Sequence, residues 1–220
     1  RGIVFNGTLR RHDVARELFA EAVKRGIPLY AAERGKEIAL EPEAHVVFLH
    51  PAPAGEGEGE AFPGTEEGGQ PAGGGTVREI AVVKEQNPVS TVILLRLYDV
   101  HLLLTGDIDQ GVERDILEAL ASRPHPAAQK ARAGAAILKV AHHGSKSATS
   151  AEWLAYWQPD HAVISAGKSN PYGHPHPSVL VRLADHGAAV HRTDLQGEVR
   201  FVIAADGYRA ETKKGGLAPR

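Results

Sequence analysis

Apolar and polar positions alternate in short runs along this chain, and the period of the alternation switches repeatedly between that of a strand and that of a helix. Ile3-Val4-Phe5 predicts a short buried strand. Asp13 is placed to cap a helix whose apolar stripe is Val14, Leu18, Ala22 and Val23 and which stops at Gly26. Leu29-Tyr30-Ala31 and Val46-Val47-Phe48-Leu49 predict two more strands. Residues 89–95 and 100–104 predict a hairpin turning near Tyr98-Asp99. Beyond it the pattern predicts a helix over 112–120 with Val112, Ile116, Leu117 and Leu120 on one face, a buried strand over 136–140, and a helix over 150–157 capped by Ser150. A strand over 161–165, a helix over 178–186 closed by Gly187, and strands over 189–191 and 198–204 complete the pattern. Alternation of this kind predicts an α/β layer fold.

The periodicity stops between 51 and about 76, where Gly-Glu repeats and a Gly-rich run cannot bury apolar area. The chain is therefore read as one domain over 1–220 with a flexible low-complexity insertion at about 51–76. An apolar fraction of 42% and a charged fraction of 24% are those of a globular protein. The net charge of -2 supplies no global basic field for nucleic acid, although a bound cation would supply a local one. There is no Cys, which excludes disulfides, thiol catalysis and Cys-type zinc sites and leaves the 12 His and the carboxylates as metal donors. The most apolar window, 89–104, is interrupted by Arg96, Asp99 and His101 and is too short to span a bilayer, so the chain itself is expected to be soluble. Without any Met, and opening directly into a strand, the sequence is expected to be cut from something longer.

Three clusters fall at the C-terminal ends of expected strands, where α/β folds gather ligand sites. The first is Leu104-Thr105-Gly106-Asp107, in which Asp107 is either an outward-facing carboxylate able to bridge cations or a turn or cap residue. Asp109 is a better cap than ligand. The second is Ala141-His142-His143-Gly144-Ser145. On an extended backbone neighbouring side chains point to opposite faces, so one His is expected to enter a metal site and the other to support it or contact substrate. The third is Asn170-Pro171-Tyr172-Gly173-His174-Pro175-His176-Pro177, whose prolines stiffen a loop able to hold imidazoles. Lys168, just before it, suits a phosphate as a point charge, but the P-loop spacing is absent and no nucleotide cofactor is expected. Arg192-Thr193-Asp194-Leu195-Gln196-Gly197 reads as a hairpin turn or a substrate contact.

Taken in order, Asn87-Pro88-Val89-Ser90, Thr105-Gly106-Asp107, His142-His143-Gly144-Ser145, Gly173-His174-Pro175-His176-Pro177 and Arg192-Thr193-Asp194 resemble the metallo-β-lactamase-like domain of ComEC-type DNA-internalisation (competence) proteins, over roughly residues 87–201. The resemblance implies an αββα sandwich, of which this chain would be the C-terminal portion. It implies two divalent ions, Zn or Mn, in the complete domain. It assigns Asp107 as a bridging ligand and one of His142 and His143 as a further ligand, favouring His143. It assigns His174 and His176 to orienting phosphate or protonating the leaving oxygen; Asn87 and Ser145, which fall in its motifs, are read as substrate contacts together with Lys168 and Arg192. The family's His-x-His-x-Asp-His motif does not occur in the sequence, so the chain is expected to be truncated before it and inactive alone.

The implied function is a metal-dependent phosphodiester hydrolase, a nuclease, acting on DNA during uptake in natural transformation. The parent would be a polytopic membrane protein carrying this domain on the extracytoplasmic face. Two other readings compete: a metallo-hydrolase of another ester or amide on the same scaffold, and a non-catalytic nucleic-acid-binding module, which a steep salt dependence of DNA affinity without cleavage would mark.

Overall fold

The computed structural model describes residues 2–9, 15–51, 59–61, 79–82, 87–131 and 135–218. Its strands are β1 (Ile3–Phe5), β2 (Thr8–Leu9), β3 (Leu29–Ala31), β4 (Glu37–Glu41), β5 (Ala44–His50), β6 (Gly59–Ala61), β7 (Glu79–Val82), β8 (Val92–Leu97), β9 (Val100–Leu104), β10 (Ala135–Lys139), β11 (His161–Ile164), β12 (Ala189–Arg192), β13 (Val199–Ala204), β14 (Gly207–Thr212) and β15 (Gly215–Ala218). The helices are α1 (Ala15–Lys24), α2 (Gln110–Ser122), α3 (Pro126–Ala131), α4 (Ala151–Trp157), α5 (Pro177–Asp185) and the single turn α6 (Thr193–Gln196).

A seven-stranded mixed sheet in the order β12-β11-β10-β9-β8-β5-β4 organises the molecule. Strands β9, β10, β11 and β12 run parallel, and β8, β5 and β4 add antiparallel neighbours. The protein is thus mixed α/β. Each parallel crossover carries helix, as a chain that must return to start a parallel neighbour requires. Alternation along the strands sends Val92, Leu94, Leu103, Leu138, Ala162 and Ile164 into one core with Val112, Ile116, Leu120, Trp153, Leu154, Val179 and Leu183 of the helices. Fully burying each large aliphatic side chain there contributes about 1.5–3 kcal/mol before entropy is counted. On the opposite face His161 meets Phe201 and Tyr208 edge-on and His191 meets Phe201 edge-on, so β13 and β14 cover that side of β11 and β12.

Caps fix the helix starts. Asp109 Oδ1 accepts from Val112 N at 3.1 Å and Ser150 Oγ accepts from Trp153 N at 3.1 Å, both as the sequence predicts. The hairpin turns at Tyr98-Asp99, with Leu97 opposite Val100.

Several elements differ from expectation. The helix α1 buries Phe19 and Ala22 and leaves Leu18 60% exposed, because Phe19 packs on Phe5 with ring centroids 4.7 Å apart and the true stripe is Ala15, Phe19, Ala22, Val23. Asp13 and Val14 lie outside the described residues, as do 52–58 and 62–76 of the insertion. Within that insertion Gly59–Ala61 is a strand, paired antiparallel to β7, since backbone pairing needs no apolar side chain. Arg192 to Gly197 is not a hairpin turn: α6 connects β12 of the large sheet to β13 of a separate three-stranded sheet. The strand β4 and helix α3 are additions that the apolar pattern does not signal, β4 being exposed along its whole length.

Candidate functional site

The C-terminal ends of the four parallel strands bring the three sequence clusters to one edge of the sheet. Thr105 anchors the first loop, its hydroxyl donating to Lys139 O at 2.7 Å. Gly106 follows at φ 56, and a Cβ there would lie 2.9 Å from Ser90 Cβ, so glycine is required for the loop to close on Ser90. The Asp107 amide donates to Ser90 Oγ at 3.4 Å and His142 N to Gly106 O at 3.1 Å.

Between β10 and α4 the chain does not run extended. His142 (φ 47, ψ 44) and His143 (φ 55, ψ 20) both sit in the left-handed region. The expectation that an extended backbone separates the two rings onto opposite faces is therefore corrected. The turned backbone sets them 6.5 Å apart, centroid to centroid. His142 faces His174 edge-on at 6.0 Å, whereas His143 faces Asp107, Nε2 to Oδ1, at 3.7 Å. The His143 tautomer is dictated by its surroundings. A carbonyl only accepts, so Nδ1–H donates to Ser165 O at 2.7 Å, and in the neutral ring Nε2 presents its lone pair towards Asp107. Thr193 Oγ1 in turn accepts from Ala166 N at 2.9 Å, tying that carbonyl's loop to the end of β12.

The third loop is clipped by Asn170. Its Nδ2 donates to Gly167 O at 2.9 Å and to His174 O at 2.7 Å, and its Oδ1 accepts from His174 N at 2.9 Å. Burial, then the neighbouring imidazoles of His142, His143 and His176, push His174 below the ordinary histidine range. His176 is the N-cap of α5: Nδ1 accepts from Ser178 N at 3.2 Å, which places the proton of its neutral ring on Nε2. The second and third loops touch at Gly144 (φ 83), whose carbonyl accepts from His176 N at 2.8 Å and where a Cβ would lie 2.7 Å from Pro175 Cβ. Gly144→Ala is accordingly expected to cost about 1–3 kcal/mol in urea unfolding, from a forced contact with a rigid ring at a positive φ.

The remaining sequence candidates lie in varied settings. Lys168 and Asn87 are exposed. Ser145 is buried and bonds Ser147 Oγ at 3.1 Å. Arg192 is engaged bidentately by Asp194, at 2.6 and 3.1 Å, and that contact raises the pKa of the guanidinium and lowers that of the carboxyl. Sequence patterns did not single out Lys139. Burial pushes its ammonium below the ordinary lysine range against the pull of Asp107, and Nζ lies 3.5 Å from Gly106 O. Ser90 and Tyr172 also gain roles from the geometry: Ser90 under Asp107, and Tyr172 stacked on His174 at 5.9 Å. His143, Ser165, Gly167, Asn170, Tyr172 and His174 line a cleft of ≈ 270 Å³. A larger cavity of ≈ 670 Å³ lies between β5 and the end of α2 and holds none of these side chains. Two imidazoles in its wall, one of them facing Asp107, and not size, mark the cleft as the site.

A metal requires more than this pair. Among the described residues no group of three His, Asp or Glu side chains is disposed to hold an ion. Asp107 and His143 are two donors, so the described residues do not complete a metal site.

The chain is 36% identical over 116 residues to ComE operon protein 3 of Bacillus subtilis (strain 168), covering 53% of this chain and 14% of that protein. It is 33% identical over 138 residues to Recombination protein 2 of Haemophilus influenzae, covering 63% and 16%. It is 30% identical over 127 residues to Competence protein ComA of Neisseria gonorrhoeae, covering 58% and 17%. Over these stretches the chain is thus similar to proteins named for a ComE operon, for recombination and for competence. No family model matches the chain. The aligned stretches amount to no more than 17% of these relatives' length. Among the described residues no helix is long and apolar enough to cross a membrane.

Proposed function

We propose that this chain is part of the metal-dependent phosphodiester hydrolase domain, a nuclease of metallo-β-lactamase-like αββα fold, of a DNA-uptake protein. In this reading Asp107 and His143 supply two donors to a centre for two divalent ions, Zn or Mn. The other donors come from a His-x-His-x-Asp-His segment that this sequence does not contain. DNA is the substrate, and the whole protein holds the domain at the extracytoplasmic face of a membrane.

One observation carries the reading. His143 is locked by Ser165 O as the Nδ1–H tautomer, which turns an Nε2 lone pair towards a carboxylate oxygen 3.7 Å away. A proton on Nε2 would make this contact an ion pair, and a divalent ion between the two atoms would take both as donors; a backbone carbonyl behind a histidine is the usual support of a metal-binding imidazole. The chain's other groups bind and move protons. His176, with its proton on Nε2, would offer a hydrogen bond to a phosphate oxygen, and His174 would orient the same group. Affinity for DNA comes mainly from phosphate contacts, to which exposed Lys168 contributes.

The test is elemental analysis and diester cleavage, on this chain and on the chain joined to a segment bearing the missing motif. Two ions per chain and cleavage of DNA are expected only in the joined protein. There Asp107→Ala and His143→Ala each lower the rate by more than about 100-fold, the upper range for a group that merely supports a ligand. A metal-loaded joined protein that leaves DNA and model diesters intact while hydrolysing acyl substrates would overturn the reading.

A further inference from the structure

Tyr172 is 78% exposed, the most exposed large apolar side chain among the described residues, yet it stands on the rim of the cleft that holds His143 and His174. Leaving an aromatic ring in water at a mobile tip would serve nothing, but this ring is not on a loose tip. It is stacked on His174 with planes inclined by 22°, and the loop beneath it is clipped by three hydrogen bonds from the Asn170 side chain. The exposed surface of the ring is therefore presented in a fixed direction at little further cost in entropy.

The cleft next to the ring has two more properties. Its volume, ≈ 270 Å³, accommodates a single planar ring system rather than an extended ligand. Both amide donors of Asn170 are spent inside the loop, so the side chain that might read a base edge does not. What remains is a flat aromatic face beside the His143 and His174 rings and backbone walls. Such a surface binds any planar heteroaromatic ring by stacking and has little means to tell one from another. His143 belongs both to this cleft and to the pair with Asp107. A ring held in the cleft thus lies next to the position where the phosphodiester reading places the reacting phosphate.

We propose that Tyr172, with the Gly167–Asn170 wall, forms a stacking subsite for one nucleobase of a single-stranded DNA substrate. The subsite positions the strand for cleavage without selecting sequence. It rests on the phosphodiester reading for the identity of the strand, and on the geometry of Tyr172 for the stack.

The test is fluorescence anisotropy with this chain at low salt, using a labelled oligothymidylate and an abasic oligodeoxynucleotide of the same length and charge. Wild-type protein is expected to bind the oligothymidylate at least about 10-fold more tightly, the lower part of the range for one base on an aromatic side chain. Tyr172→Ala removes this difference and leaves affinity for the abasic strand unchanged, while Tyr172→Phe and Tyr172→Trp keep it. Because the side chain is so exposed, circular dichroism of all three variants should match the wild type. Equal binding of the two strands by wild-type protein, or a preference that survives Tyr172→Ala, overturns the subsite and leaves the DNA reading standing. Failure to bind either strand overturns the subsite, whereas the phosphodiester reading is judged on the joined protein.

Discussion

Glu113→Ala lowers stability by about 2–6 kcal/mol, the cost of leaving two backbone amides without their carboxylate acceptor at about 1–3 kcal/mol each. Glu113 is fully buried on α2. Its two carboxylate oxygens accept the backbone amides of Thr149 and Ser150, the latter at 2.8 Å. From the other side Arg182 of α5 donates to Thr149 O at 2.8 Å and to Ala148 O at 2.9 Å. A turn in which Thr149 is held at φ 57 is thus gripped by a helix that follows Asp107 and a helix that follows His176. Removing the carboxylate strands two amides in the core and frees a strained β-branched residue, in the turn that leads into α4 and its fully buried Trp153. Burial raises the Glu113 pKa, and the amides and Arg182 pull it back, so the carboxylate is stabilised by its partners at a desolvation cost. Glu113→Gln recovers little, because an amide accepts one N–H and turns its own NH₂ on the other. Chemical denaturation of the three proteins measures this, and a loss below about 1 kcal/mol for alanine would show the network to be dispensable.

Glu113 also shows where sequence reading runs out. It falls one position after Val112 in a helix whose apolar stripe was legible, and nothing in the local pattern distinguishes a buried glutamate from a solvated one. Its partners are backbone amides 36 and 37 residues away. What local chemistry dictates was readable. The caps Asp109 and Ser150, the stripe Val112-Ile116-Leu120, the alternation of strand and helix and the placing of Asp107, His142, His143 and His174 after strand ends all follow from period and capping. The pair His142-His143 was located but not its conformation. Two successive non-glycine residues at positive φ are rare enough that no local rule anticipates them; here they are accompanied by contacts from Gly106 O, Ser165 O and the Gly144–Pro175 approach. In α1 the choice between Leu18 and Phe19 was settled by Phe5, a residue outside the helix. The exposed strand β4 exists only because β5 offers it an edge to pair with.

Acid will destabilise the fold well before its carboxylates protonate. His50, His101 and His191 are buried, and burial is the first cause pushing each below the ordinary value of 6.5. For His50 the bond to Pro88 O and the charge of Asp115 oppose the shift while Arg34 reinforces it; for His101 Asp99 opposes and Arg96 and Lys130 reinforce; for His191 burial acts alone. Because the folded-state values are lowered, the unfolded chain binds more protons in the window below 6.5. Stability is then complete above that value and falls as pH drops towards the folded-state values. Within the window each histidine contributes up to about 1.4 kcal/mol per pH unit. Glu113 acts with the opposite sign, since its raised folded-state value makes the folded state the better proton binder just above 4.5. The slope should therefore be steepest just below pH 6.5 and ease where Glu113 takes up its proton above 4.5. Urea unfolding at a series of pH values from about 7.5 to 4.5 reads this directly. His101 supplies the control. Neither of its ring nitrogens has a hydrogen-bond partner among the described residues, so His101→Leu removes a buried polar group that contributes no bond. That variant should be as stable as the wild type or more so at neutral pH, and should lose less stability on acidification. If its pH profile superimposes on that of the wild type, His101 does not take part in the acid response, and the slope belongs to His50 and to the His161–His191 contact that joins the large sheet to β13 and β14.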